Sequence, residues 1–82
     1  MSAVMGSSTD PSRVYVRLIG EGTLVFRPVP AEHLGPGRAR LIAPSDYDPE
    51  DENWEFAPGT VVRIELQRLE GTEVYVAVAL AE

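Results

Sequence analysis

The sequence predicts an all-β domain, a small SH3-like five-stranded barrel, with an OB-like barrel as the alternative. Three observations carry this expectation. Apolar residues recur at every second position in five short stretches, the period of half-buried strands. Clusters rich in Gly and Pro separate the stretches, as turns require. No segment of ten residues carries the 3.6-residue repeat of an amphipathic helix. Five short strands have edges to hide, and closing into a barrel hides them best.

Residues 1–12 contain Ser, Thr, Gly, Asp and Pro in their second half and read as a loose tail, leaving 13–82 as a single barrel domain. Arg13 to Ile19 form the first strand, with Val14, Val16 and Leu18 inward and Arg13, Tyr15 and Arg17 outward. Gly20-Glu21-Gly22 is a turn. Thr23 to Val29 form the second strand, and the expected inward residues are Leu24 and Phe26, with Val25 and Arg27 opposite them. Pro28 and Pro30 donate no ladder hydrogen bond, so this strand is expected to end, bulge or lie at an edge there. Ala31 to Leu34 read as a short helical turn before the breaker Gly35-Pro36-Gly37. Arg38 to Ala43 form the third strand. An acid-rich loop follows, closed by Trp54-Glu55-Phe56 and a Pro58-Gly59 turn. Thr60 to Leu69 are the fourth strand, with Val62, Ile64 and Leu66 inward. Glu70-Gly71 turn the chain into the last strand, Glu73 to Leu80, with Val74, Val76, Val78 and Leu80 inward. Leu41 completes the expected core, and Trp54 or Phe56 plugs one open end.

The chain has 82 residues, which sets one domain and a thin core. Thirteen acids oppose seven bases, all arginine. Six of those acids, Asp46, Asp48, Glu50, Asp51, Glu52 and Glu55, fall in residues 45–56 without a base, so the rest of the chain is formally neutral. That balance argues against general DNA binding, where phosphate neutralisation dominates affinity. There is no cysteine, which excludes disulfides, thiolate metal sites and cysteine nucleophiles. The longest apolar run, Val74 to Ala81, is eight residues, far short of the roughly 20 of a membrane helix. No secretory signal is legible, and a cytoplasmic location is expected.

Few residues suggest chemistry. Asp46, Asp48 and Glu50 match the first ligand positions of a calcium-binding EF-hand loop. However, Asp51 stands where glycine is needed and Ala57 where the bidentate Glu belongs, so no metal site is expected. His33, the single histidine, has only Glu32 nearby and no nucleophile-elbow serine. Gly20-Glu21-Gly22 lacks the third glycine of a phosphate loop. No catalytic residue and no cofactor is expected, and the domain reads as non-enzymatic.

Two binding surfaces are expected instead. The first is a protein-binding surface made by Tyr47, Asp48, Glu50, Asp51, Glu52, Trp54 and Phe56, where acids adjoin aromatics that can anchor a partner. Trp54 is the better candidate for partial exposure. The alternative is RNA binding through outward arginines interleaved with an aromatic, Arg13, Tyr15, Arg17, Arg27, Arg40 and Arg63, on which a base stacks while the backbone is tracked. An uncovered strand edge also offers a route to homodimers.

The stretches Gly20 to Pro28 (GEGTLVFRP) and Trp54 to Arg63 (WEFAPGTVVR) resemble a group of short bacterial proteins of uncharacterised function. The resemblance covers most of residues 13–80 and implies a single small β-barrel in a bacterial cytoplasm. It assigns no catalytic residue. It also implies a cysteine after the VVR segment, where this chain has Ile64. A fainter likeness, Gly59 to Ile64, is similar to the KOW-type modules of ribosome and transcription proteins.

Overall fold

The computed structural model describes residues 12–81. Five strands follow one another: β1 Arg13–Leu18, β2 Val25–Gly35, β3 Arg38–Leu41, β4 Val61–Leu69 and β5 Thr72–Leu80. They form a closed barrel in the order β1-β2-β3-β4-β5. Each strand runs antiparallel to the next, and β1 meets β5 in parallel. The parallel seam is a consequence of counting. In an up-and-down meander of five strands the first and last point the same way. This sequential order is a closed meander, the small five-stranded barrel expected, and not the Greek key of an OB barrel.

The core is Val14 and Val16 from β1, Val29 and Ala31 from β2, Ala39 and Leu41 from β3, Val62 and Ile64 from β4, Ala77 from β5, and Trp54 from the loop between β3 and β4. Leu18, Tyr47, Phe56 and Tyr75 pack against it. Among the described residues no polar or charged residue is buried.

The second strand departs from expectation in two ways. It runs on through Glu32, His33 and Leu34, where a helical turn was expected, because these residues pair with β3 (Glu32 with Arg40, His33 with Ala39). Pro28 and Pro30 do not interrupt it. The Ala31 N–H points to β1, donating to the Ser12 carbonyl at 2.8 Å. By alternation the prolines face the other edge, where the β3 ladder begins at Ala31 and the Pro30 carbonyl accepts one further bond, from Ile42 N–H at 3.0 Å. Both lie at or beyond the end of the β2–β3 ladder, where a missing N–H costs at most one terminal hydrogen bond. Its faces are also reversed. The register sets Val29 opposite Val14, Arg27 opposite Val16 and Phe26 opposite Arg17. Val25, Arg27, Val29 and Ala31 therefore share the core side, and Leu24 and Phe26 do not. A one-residue change of parity moves every side chain of a strand to the other face.

In the fifth strand Val74 and Val76 are buried as expected, whereas Val78 is half-buried and Leu80 exposed. Ile64 pairs with Ala77 and Arg63 with Ala79, so Val78 is a bulge residue. In the hairpin beyond the bulge Tyr75 and Ala77 face the core, whereas Val74 and Val76 lie opposite Gln67 and Glu65. Val74 and Val76 are buried, but outside the core cluster. Leu66 and Leu80 are exposed rather than inward. For Leu66 the reason is the short β3, whose pairing with β4 stops at Arg63. The β4–β5 turn has positive φ at both central residues, Glu70 (52°) and Gly71 (84°), as a two-residue hairpin turn of matching twist requires. Of the tail expected at 1–12, residues 1–11 lie outside the described residues.

This face assignment predicts unequal costs for two leucines. Leu41→Ala should destabilise the domain by about 2–5 kcal/mol, and Leu24→Ala by no more than about 0.5 kcal/mol. Urea unfolding of both variants checks this, and equal losses would contradict the register.

Candidate functional site

The loop between β3 and β4 is a built structure. Tyr47 N–H donates to the Pro44 carbonyl, and the Asp51 and Glu52 N–H groups donate to that of Asp48. The Asp48 carboxylate accepts from the Glu50 N–H at 3.0 Å. The loop then runs beside the end of β1. Ile19 N–H donates to Asn53 O at 2.7 Å, and Glu55 N–H to Arg17 O at 2.8 Å. Between them Trp54 pairs with Leu18 and turns its ring into the core.

Trp54 is the end plug that the sequence allowed, and the partial exposure expected of it is corrected. Its side chain is a plug, 6% exposed, and Tyr47 meets its ring edge-on, with centroids 4.9 Å apart. The indole N–H donates to Glu52 Oε1 at 2.8 Å. The other Glu52 oxygen accepts from Arg27 Nη1, and Arg27 Nη2 donates to Asp46 Oδ1 at 2.9 Å. Glu52 is thus the hinge of a Trp54–Glu52–Arg27–Asp46 chain. The Arg27 guanidinium, helped by the indole N–H, holds the Glu52 carboxyl below the usual carboxylate range. Glu52 and Asp46 together raise Arg27 above the ordinary arginine value. Phe56 is half-buried against the core as well. Of the seven residues expected to face a partner, only Asp48, Glu50 and Asp51 are fully exposed. Among the described residues no three His, Asp or Glu side chains gather as a metal site would need.

The six residues expected to form one nucleic-acid face are divided. Arg27 is spent on Glu52 and Asp46, on the core side of β2. Arg13, Tyr15 and Arg17 share the outer row of β1, opposite Pro30, Pro28 and Phe26. Arg40 and Arg63 belong to the β3–β4 face, where Arg40 binds Glu32 at 2.6 Å. Arg38, which sequence reasoning passed over, stands directly opposite Arg63.

A surface the sequence reading missed lies on the outer face. Reversal of β2 takes Leu24 and the half-buried Phe26 off the core side, next to the buried Val74 of β5. With Tyr15, Arg68, Leu69, Glu70 and Thr72 they line a cleft of about 510 Å³. Leu24 at its rim is 70% exposed. The walls are of mixed character: Tyr15, Leu24, Phe26, Leu69 and Val74 supply apolar and aromatic surface, and Arg68, Glu70 and Thr72 supply polar surface at the hairpin end. That composition suits an organic ligand or a peptide side chain. Comparison of the chain with protein-family models, curated proteins and solved structures found no match.

Glu52→Gln keeps the shape of the hinge and removes its charge. A carboxyl lowered on folding stabilises the native state above its ordinary value of 4.5, and that contribution disappears as pH falls through the lowered value. The variant should therefore be less stable at pH 7 by about 1 kcal/mol, and its deficit should shrink towards zero in acid. Urea midpoints between pH 7 and pH 2 test this, and a deficit independent of pH would refute the ionic role.

Proposed function

We propose that this domain is a non-enzymatic protein-interaction module whose contact surface is the outer cleft rather than the acidic loop. The observation that carries this reading is the cleft itself: exposed Leu24 and half-buried Tyr15, Phe26 and Leu69 surround an open hollow floored by the buried Val74, on a barrel only five strands around. A large side chain from an extended segment of a partner seats among them, and Arg68 takes a carboxylate or carbonyl of that segment. Grooves lined by aromatic residues serve this purpose on other small β modules.

The same reading assigns the acidic loop a structural duty. Its aromatic residues fill the barrel end, and two of its acids neutralise Arg27. No helix among the described residues is long and apolar enough to cross a membrane. The likeness to short bacterial barrel proteins assigns no residue a role and adds nothing to this reading.

Selection from a random peptide display library, followed by methyl NMR of the enriched peptides, tests the proposal. Enriched sequences should carry a large apolar residue and shift the Leu24, Leu69 and Val74 methyl signals. Leu24→Asp, at a rim position outside the core, should weaken binding at least about tenfold with the fold retained. No enrichment, or shifts confined to residues 45–53, would overturn it. Binding of single-stranded RNA with a steep salt dependence and no peptide binding would transfer the role to nucleic acid.

A further inference from the structure

We propose that Arg38 and Arg63 form a binding site for a phosphate-class oxyanion on the β3–β4 face, separate from the outer cleft. The two residues are direct cross-strand partners, so their side chains leave the sheet side by side on the same face. Both are exposed, and among the described residues neither has an ion pair or a side-chain hydrogen bond. Like charges directly opposite one another disfavour the ladder that holds them. Here the backbone allows no slip that would separate them. Ile64 N–H donates to Gly37 O at 2.9 Å on one side of the pair, and Leu41 N–H to Thr60 O at 3.0 Å on the other. Gly37, with φ 72°, sits in the turn that leads into Arg38.

The neighbouring arginine shows the contrast. Arg40, two residues along the same face, faces Glu32 across the β2–β3 ladder and binds it at 2.6 Å. Arg63 has Ala79 on its other flank. Glu65, two residues further along β4, is exposed and makes no ion pair with it. The face therefore supplies an anion for one guanidinium and leaves two adjacent guanidiniums without one, their sides open. Two planar forks in register match the oxygens of a tetrahedral phosphate, which accepts paired N–H donors from each. The net negative charge of the chain resides in residues 45–56, on another segment, so it does not neutralise the pair directly. The ligand chemistry is a phosphate group, either free or as the diester of a single-stranded nucleic acid.

Arginine side-chain Nε–Hε spectra of the full chain provide the test, with inorganic phosphate replacing chloride at fixed ionic strength and pH 7. The Arg38 and Arg63 signals should move together and saturate, while those of Arg13 and Arg17 stay in place. Arg63→Gln should weaken the response of Arg38 about tenfold, and Arg63→Lys, which keeps the charge and loses the fork, should weaken it less. Circular dichroism should be the same for all three chains, since Arg63 is exposed. In a second arm a short single-stranded RNA is titrated. Tighter binding than by phosphate, with the same two signals shifted, identifies the diester as the ligand, and no gain identifies free phosphate. An unsaturable drift shared by all exposed arginines would overturn the site, as would an Arg38 response that Arg63→Gln leaves unchanged.

Discussion

The seam between the first and last strands constrains everything else in this barrel. Five strands in sequence can close only through a parallel contact, and here that contact amounts to two paired positions, Val14 with Tyr75 and Tyr15 with Val76. Parallel pairing is slightly weaker per residue than antiparallel. Beyond Tyr15 the free edge of β1 is covered by Asn53 to Glu55, and Trp54 enters the core from that segment. A barrel of valines and alanines has little bulk of its own. The indole supplies the largest single contribution to filling it.

The charge distribution follows from the same constraint. A tryptophan delivered by a loop needs its N–H satisfied and its approach fixed. Glu52 does both, and Arg27 in turn ties Glu52 to the barrel wall. The second arm, from Arg27 to the largely exposed Asp46, adds little, ~0–1 kcal/mol. A run of acids that suggests a docking surface in the one-dimensional string is, in space, partly the clamp on the plug. The outer face is left to carry what the clamp does not use, namely the cleft beside the β4–β5 hairpin and the unmatched arginines.

Much of this was legible in the residues, and the failures have a shared cause. The strands, their order and the Glu70-Gly71 turn follow from alternation and turn chemistry, which are local. Which face of a strand is inward is not local. For β2 the apolar residues Leu24 and Phe26 outweighed Val25 in a window cut off at Val29. Carried on to Gly35, the same strand shows Val25, Val29 and Ala31 in one parity, with Arg27 among them. That arginine looked outward only because its carboxylate partner, Glu52, is 25 residues away. For β5 a bulge at Val78 broke the alternation, and no turn residue announces it. The outer cleft was invisible chiefly for the first reason, since the reversal of β2 places Leu24 and Phe26 beside Tyr15, Leu69 and Val74.

Native-state amide hydrogen exchange tests the central claim most directly. If the Trp54 segment completes the barrel, the Ile19 and Glu55 amides, which bond across to Asn53 and Arg17, should exchange only through global unfolding. Their opening free energies should equal those of the core amides of Val16 and Val62. Exchange of Ile19 and Glu55 at loop rates while Val16 and Val62 remain protected would show that the barrel closes without the plug, and would contradict the account.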